Sequence, residues 1–66
     1  MRIKELRRSA GLTQSELAEK IGSSRDTVSA WERGKAEPSA RLLRRTAEAL
    51  GASVGYLLGE DPPGTP

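Results

Sequence analysis

Thr13-Gln14-Ser15-Glu16-Leu17-Ala18-Glu19-Lys20-Ile21-Gly22-Ser23-Ser24-Arg25-Asp26-Thr27-Val28-Ser29-Ala30-Trp31 contains two helical patterns and the joint between them. Thr13 and Glu16 stand at capping-box spacing: the Thr13 hydroxyl can accept from the backbone N–H of Glu16 while the Glu16 carboxylate reaches back. Behind this start, Leu17, Ala18 and Ile21 fall on one face at the helical period, and Gly22 closes the segment. Ser24 is the better placed of two serines to cap a second helix, which runs over residues 25–33 with Val28 and Trp31 on one face and ends at Gly34. Gly22-Ser23-Ser24 thus leaves about three residues between two apolar-periodic segments of equal length. So short a joint holds two helices at a steep angle and lets the second project outward.

Three more helical segments flank this pair. Before it, Ile3, Leu6 and Ala10 repeat at helical spacing over residues 2–10, and Gly11 supplies a left-handed end. After it, Lys35-Ala36-Glu37-Pro38 is a turn, because Pro38 disfavours helical geometry in Glu37. Ser39 then caps a helix over about 40–50, with Leu42, Leu43, Ala47 and Leu50 inward and Gly51 after it. Ser53 caps a last short turn carrying Val54, Leu57 and Leu58. No stretch alternates for four residues with β-branched support, so the expected fold is all-α, a compact five-helix bundle. Residues 1–58 form the domain; residues 59–66, with no apolar side chain beyond proline rings, are expected to be a disordered tail.

At 66 residues the chain is one small domain that must fold without cysteine staples. With neither cysteine nor histidine it has no disulfide, thiolate or imidazole chemistry, and no zinc-finger spacing. Without a nucleophile–base pair or a Gly-rich phosphate loop, an enzyme is not expected, nor are a catalytic residue, a metal or a cofactor. No apolar run approaches the ~20 residues of a membrane span, and the amino terminus does not read as a signal peptide, so a cytoplasmic, nucleoid-associated location is expected. Charge is unevenly spread. Residues 1–45 carry all eleven bases and six acids, giving +5, whereas residues 46–66 carry three acids and no base, giving −3. Eight of the bases are arginine, which forks onto phosphates and guanine edges. The basic front points to a polyanionic partner.

The steep joint is helix-turn-helix geometry, in which the second helix lies in a major groove with its first turn facing base edges. Three stretches make the sequence familiar: Leu12–Gly22, Val28–Lys35 with Pro38-Ser39, and Ala49-Leu50-Gly51 with Ser53-Val54 and Tyr56-Leu57-Leu58-Gly59. In this order they resemble the Cro/CI-type, XRE-like helix-turn-helix family of phage and bacterial repressors, over about residues 2–58. The resemblance implies a lambda-repressor-like domain that binds double-stranded DNA and regulates transcription. It places Gln14 at the start of the second helix, holding a phosphate and bracing the recognition helix. It puts Ser24, Arg25, Asp26, Ser29 and Ala30 on the outward side of that helix, and Arg33 and Lys35 against the DNA backbone.

The chemistry of these residues suits those roles. Arg25 can fork onto guanine O6 and N7, Asp26 can accept from cytosine N4 or orient Arg25, and Ala30 offers a methyl for thymine. Arg25, Asp26, Ser29 and Ala30 are the expected base readers; Gln14, Ser24, Arg33, Lys35 and Arg41 are the expected backbone contacts. Arg41 divides evenly between a phosphate contact and a solvated face, and Arg44 and Arg45 read as solvated. Trp31, in phase with Val28, reads as a packing residue. Arg7 and Glu32 resemble the family's structural ion pair. Val54, Tyr56, Leu57 and Leu58 are too apolar for so short a helix to hide, so they are expected to form a weak two-fold interface. The alternative reading is an antitoxin-like module that binds a protein partner and also its own operator.

Overall fold

Four of the helices start at a hydroxyl. The computed structural model describes residues 1–60, in which α1 spans Ile3–Ser9, α2 Gln14–Ile21, α3 Arg25–Glu32, α4 Ala40–Leu50 and α5 Val54–Leu58. Thr13, Ser24, Ser39 and Ser53 each sit extended at an N-cap and accept the backbone N–H three residues on. This satisfies one of the donors that a helix start leaves orphaned. At Thr13 the box is complete: Oγ1 accepts from Glu16 N at 3.0 Å, and Thr13 N donates to the Glu16 carboxylate at 2.8 Å. Those bonds hold the Glu16 carboxyl below its ordinary range. Thr13→Ala is expected to cost about 1 kcal/mol of stability, read as a lower midpoint in urea unfolding.

Helix ends are also built alike. The joint between α2 and α3 shows how: Gly22 turns left-handed at φ 73°, and Ser23 N then donates to Ala18 O at 2.8 Å. A side chain at Gly22 would be strained there, and its Cβ would stand 3.3 Å from Arg45 Nη1. Arg45 Nη1 in turn donates to Ile21 O at 3.4 Å, so the side chain expected in solvent reaches the carbonyl end of α2. Leu12 N, Lys35 N, Ala52 N and Glu60 N make the equivalent bond five residues back at the other helix ends. Gly59 and Glu60 therefore belong to the closure of α5, not to the tail that was expected to begin at 59. Residues 61–66 of that expected tail lie outside the described residues.

All five helices feed one core. Ile3 of α1, Leu17, Ala18 and Ile21 of α2, Val28 and Trp31 of α3, Ala47 of α4 and Leu57 of α5 are buried together. Leu6, Leu12, Leu42, Leu43, Leu50 and Val54 pack partly buried around them. Ala10 does not join this face; it sits exposed at the C-cap, past the last turn of α1. Thr46 does join it, fully buried, because its hydroxyl donates to Leu42 O at 2.7 Å and leaves no unpaired donor inside. No strand occurs among the described residues.

The amino end is tied to the carboxyl end of the domain. Arg2 N donates to Leu57 O at 2.8 Å, and the Arg2 guanidinium lies 4.7 Å from the centre of the Tyr56 ring. No helix among the described residues is long and apolar enough to cross a membrane.

Candidate nucleic-acid interface

The joint at Gly22 leaves the start of α3 in solvent. Val28 and Trp31 take the inward side, while Arg25 and Asp26 are exposed and Ser29 and Ala30 half-buried. Arg25 is the first residue of α3, so its side chain has the reach of a helix end. Ser24, expected on the DNA backbone, is also the N-cap: its hydroxyl accepts from Thr27 N at 3.3 Å and shares a bond with Thr27 Oγ1 at 2.9 Å. Arg33, at the C-cap, and Lys35, just past Gly34, are exposed where the chain leaves α3.

Beneath this surface a carboxylate gathers three helices. Arg7 of α1 donates from Nε to Glu32 Oε2 at 2.7 Å and from Nη2 to Glu32 Oε1 at 3.1 Å, a forked pair. Arg7 Nη1 donates to Leu12 O at 2.8 Å, and Gln14 Nε2 of α2 donates to Glu32 Oε1 at 3.1 Å. The side chains of Arg7 and Glu32 are only 10% and 4% exposed. Burial pushes the Glu32 carboxyl up, but the bonds from Arg7 and Gln14, with attraction from Arg7 and Lys4, hold it below its ordinary range. The bond to Glu32 raises Arg7 in turn. The ion pair expected from the sequence is thus present, and Gln14 is its third member, fixing α2 to the end of α3.

Above the pair lies a groove of about 490 Å³ between α1, the start of α2 and the outer face of α3. Lys4, Arg8, Arg25 and Arg33 line it, and its one acid, Glu32, is already committed to Arg7 and Gln14. Lys4 and Arg8 were not among the expected contacts. Their four-residue spacing puts them on one face of α1, but only the packing of α1 beside α3 turns that face toward Arg25.

Residues 3–57 match the family model described as Helix-turn-helix. The chain belongs to the XRE-like helix-turn-helix family. An uncharacterized helix-turn-helix transcriptional regulator from Methanothermobacter thermautotrophicus is 51% identical over 49 residues, 74% of this chain and 71% of that protein. The immunity repressor protein of Bacillus phage phi105 is 42% identical over 60 residues, 91% of this chain but only 42% of the repressor. Among solved structures, the P22 c2 repressor in complex with synthetic operator 9T superimposes with a TM-score of 0.86 at 35% identity, covering 91% of each chain.

The remaining expected positions of this helix-turn-helix chain are not equivalent. Arg41 is exposed in the first turn of α4. Of the four expected interface residues, Leu57 is corrected: it is fully buried in the core, because α5 turns it inward between the other helices. Val54 and Tyr56 are half-buried, and Leu58 is exposed. Met1 is exposed in the same pocket as Leu58 and Leu43.

Proposed function

We infer that this chain binds double-stranded DNA sequence-specifically and acts as a transcriptional repressor on the nucleoid, without enzymatic chemistry. The observation that carries the reading is the exposed start of α3 beside a groove whose uncommitted charges are all basic. Arg25 forks onto a guanine, Asp26 accepts from a neighbouring cytosine or orients Arg25, Ser29 bonds either base type and Ala30 meets a thymine methyl. Gln14, Ser24, Arg33, Lys35 and Arg41 lie along the phosphates, fixing register without reading sequence. Two copies meet weakly through Leu58, with Val54 and Tyr56 beside it, and read half-sites about one turn (~10 bp) apart on a pseudo-palindromic operator. The repressor-named and operator-bound relatives support this assignment.

Affinity is expected to fall steeply between ~50 and ~200 mM salt as counterions are displaced by arginine and lysine. A flat response would overturn the reading. Arg25→Ala is expected to relax preference at one base position by about 1–3 kcal/mol, whereas Lys35→Ala weakens all sequences alike and lowers the salt slope by about 1. Competition binding with single-base variants of the selected site checks both.

A further inference from the structure

We propose that α1 is part of the DNA interface: Lys4 and Arg8 form the outer wall of a backbone-phosphate site completed by Arg33 across the groove. This rests on the duplex-binding reading above and extends the contact surface to a helix outside the helix-turn-helix pair.

Charge in a shaped space carries the proposal. Besides Arg7, which is paired with Glu32, four cations, Lys4, Arg8, Arg25 and Arg33, line one groove. Its only acid, one charge against five, is bonded to Arg7 through both oxygens and to Gln14 through one, and it attracts Lys4 only at a distance without a salt bridge. Among the described residues Arg7–Glu32 is the ion pair formed, so Lys4, Arg8, Arg25 and Arg33 make no salt bridge. A groove with several unpaired cations and no available anion is a concentrated positive potential. Its position selects the ligand. Arg25 is at the outward start of α3, so when α3 enters a major groove the strand bordering that groove passes the rim of the same depression. Lys4 and Arg8, one helical turn apart on α1, line that depression from a helix other than the one that enters the major groove, a position suited to backbone contact rather than to base reading. A phosphodiester is the ligand this chemistry fits: one negative charge, with non-bridging oxygens that accept from ammonium and guanidinium donors.

The test uses the full chain and the duplex enriched from a random pool. Lys4→Gln, Arg8→Gln and the double variant are compared with Lys20→Gln, an exposed lysine on α2 outside this groove. Removing one phosphate-binding cation lowers the slope of log affinity against log salt by about 0.9, which at ~0.15 M is about fivefold in affinity. The double variant is therefore expected to bind about thirtyfold more weakly with a slope about 1.8 lower, to keep the same preferred sequence, and to stay fully folded under the binding conditions, since Lys4 acts on Glu32 only at a distance. A double variant indistinguishable from Lys20→Gln would overturn the assignment while leaving the duplex-binding reading standing. A changed base preference would also overturn it, making these residues readers of sequence. If the unaltered chain itself shows no salt-dependent duplex binding, the duplex-binding reading fails and this site fails with it.

Discussion

Glu32→Ala is expected to destabilise the fold by about 3–5 kcal/mol, a large part of what so small a domain has. Removing the carboxylate leaves Arg7 charged and buried, with two of its donors unpaired and Leu12 O as the remaining acceptor. Gln14 loses its partner as well, so the cost falls on three helices at once. The deficit is electrostatic rather than steric. Arg7→Met combined with Glu32→Leu is therefore expected to recover most of the loss, because two packed apolar side chains impose no desolvation cost. Urea unfolding of the single and double variants gives the coupling directly.

The same pair sets an acid dependence. Glu32 has a folded-state pKa below its unfolded one, so its contribution is fully present above the unfolded value, near ~4.3, and is lost as pH falls through the lowered folded value. Unfolding midpoints of the unaltered chain should thus drop on acidification below ~4 more steeply than those of the Arg7→Met, Glu32→Leu variant. Equal slopes would mean that the pair contributes nothing through its charge.

Trp31→Ala is the second large effect, about 3–5 kcal/mol, and its cause is volume. Trp31 is 5% exposed and belongs to the same buried cluster as Val28 and the α2 residues Leu17, Ala18 and Ile21, so its removal leaves a cavity in the core. Trp31→Phe keeps an aromatic in that space and should lose less. Circular dichroism melts check both, since the chain has a single tryptophan and its removal also removes the fluorescence signal. A loss below ~1 kcal/mol in the alanine variant would place Trp31 outside the core, contrary to its packing.

The fold was largely legible in the sequence because its punctuation is local. A hydroxyl that caps and a glycine that turns left-handed act over three to five residues, and Thr13, Ser24, Gly22 and Gly51 do what their spacing implies. The periods of α2 and α3 also named their buried faces correctly. What escaped depended on neighbours distant in sequence. Thr46 sits on the inward stripe of α4 at the position of an apolar residue; its polarity hid it, and only the bond to Leu42 O makes its burial tolerable. Leu57 and Leu58 are adjacent and equally apolar, so composition gave no reason for one to be core and the other surface. Arg2 over Tyr56 and Arg45 at the end of α2 join residues that no local pattern relates. The site divides similarly. Arg25 was findable as the first outward residue of the second helix of the pair, and Arg7 with Glu32 through a family resemblance. Lys4 and Arg8 became part of the surface only once α1 was packed beside α3.

Selection of bound sequences from a random duplex pool at ~0.15 M salt, followed by sequencing, tests the central claim most directly, because weak unspecific attraction is screened there. The account predicts enrichment of a two-fold motif with half-sites about one helical turn apart, and loss of one base position in each half-site when the selection is repeated with Arg25→Ala. A pool that emerges without any enriched sequence would contradict it, and would move the function of α3 from reading DNA to binding a protein partner.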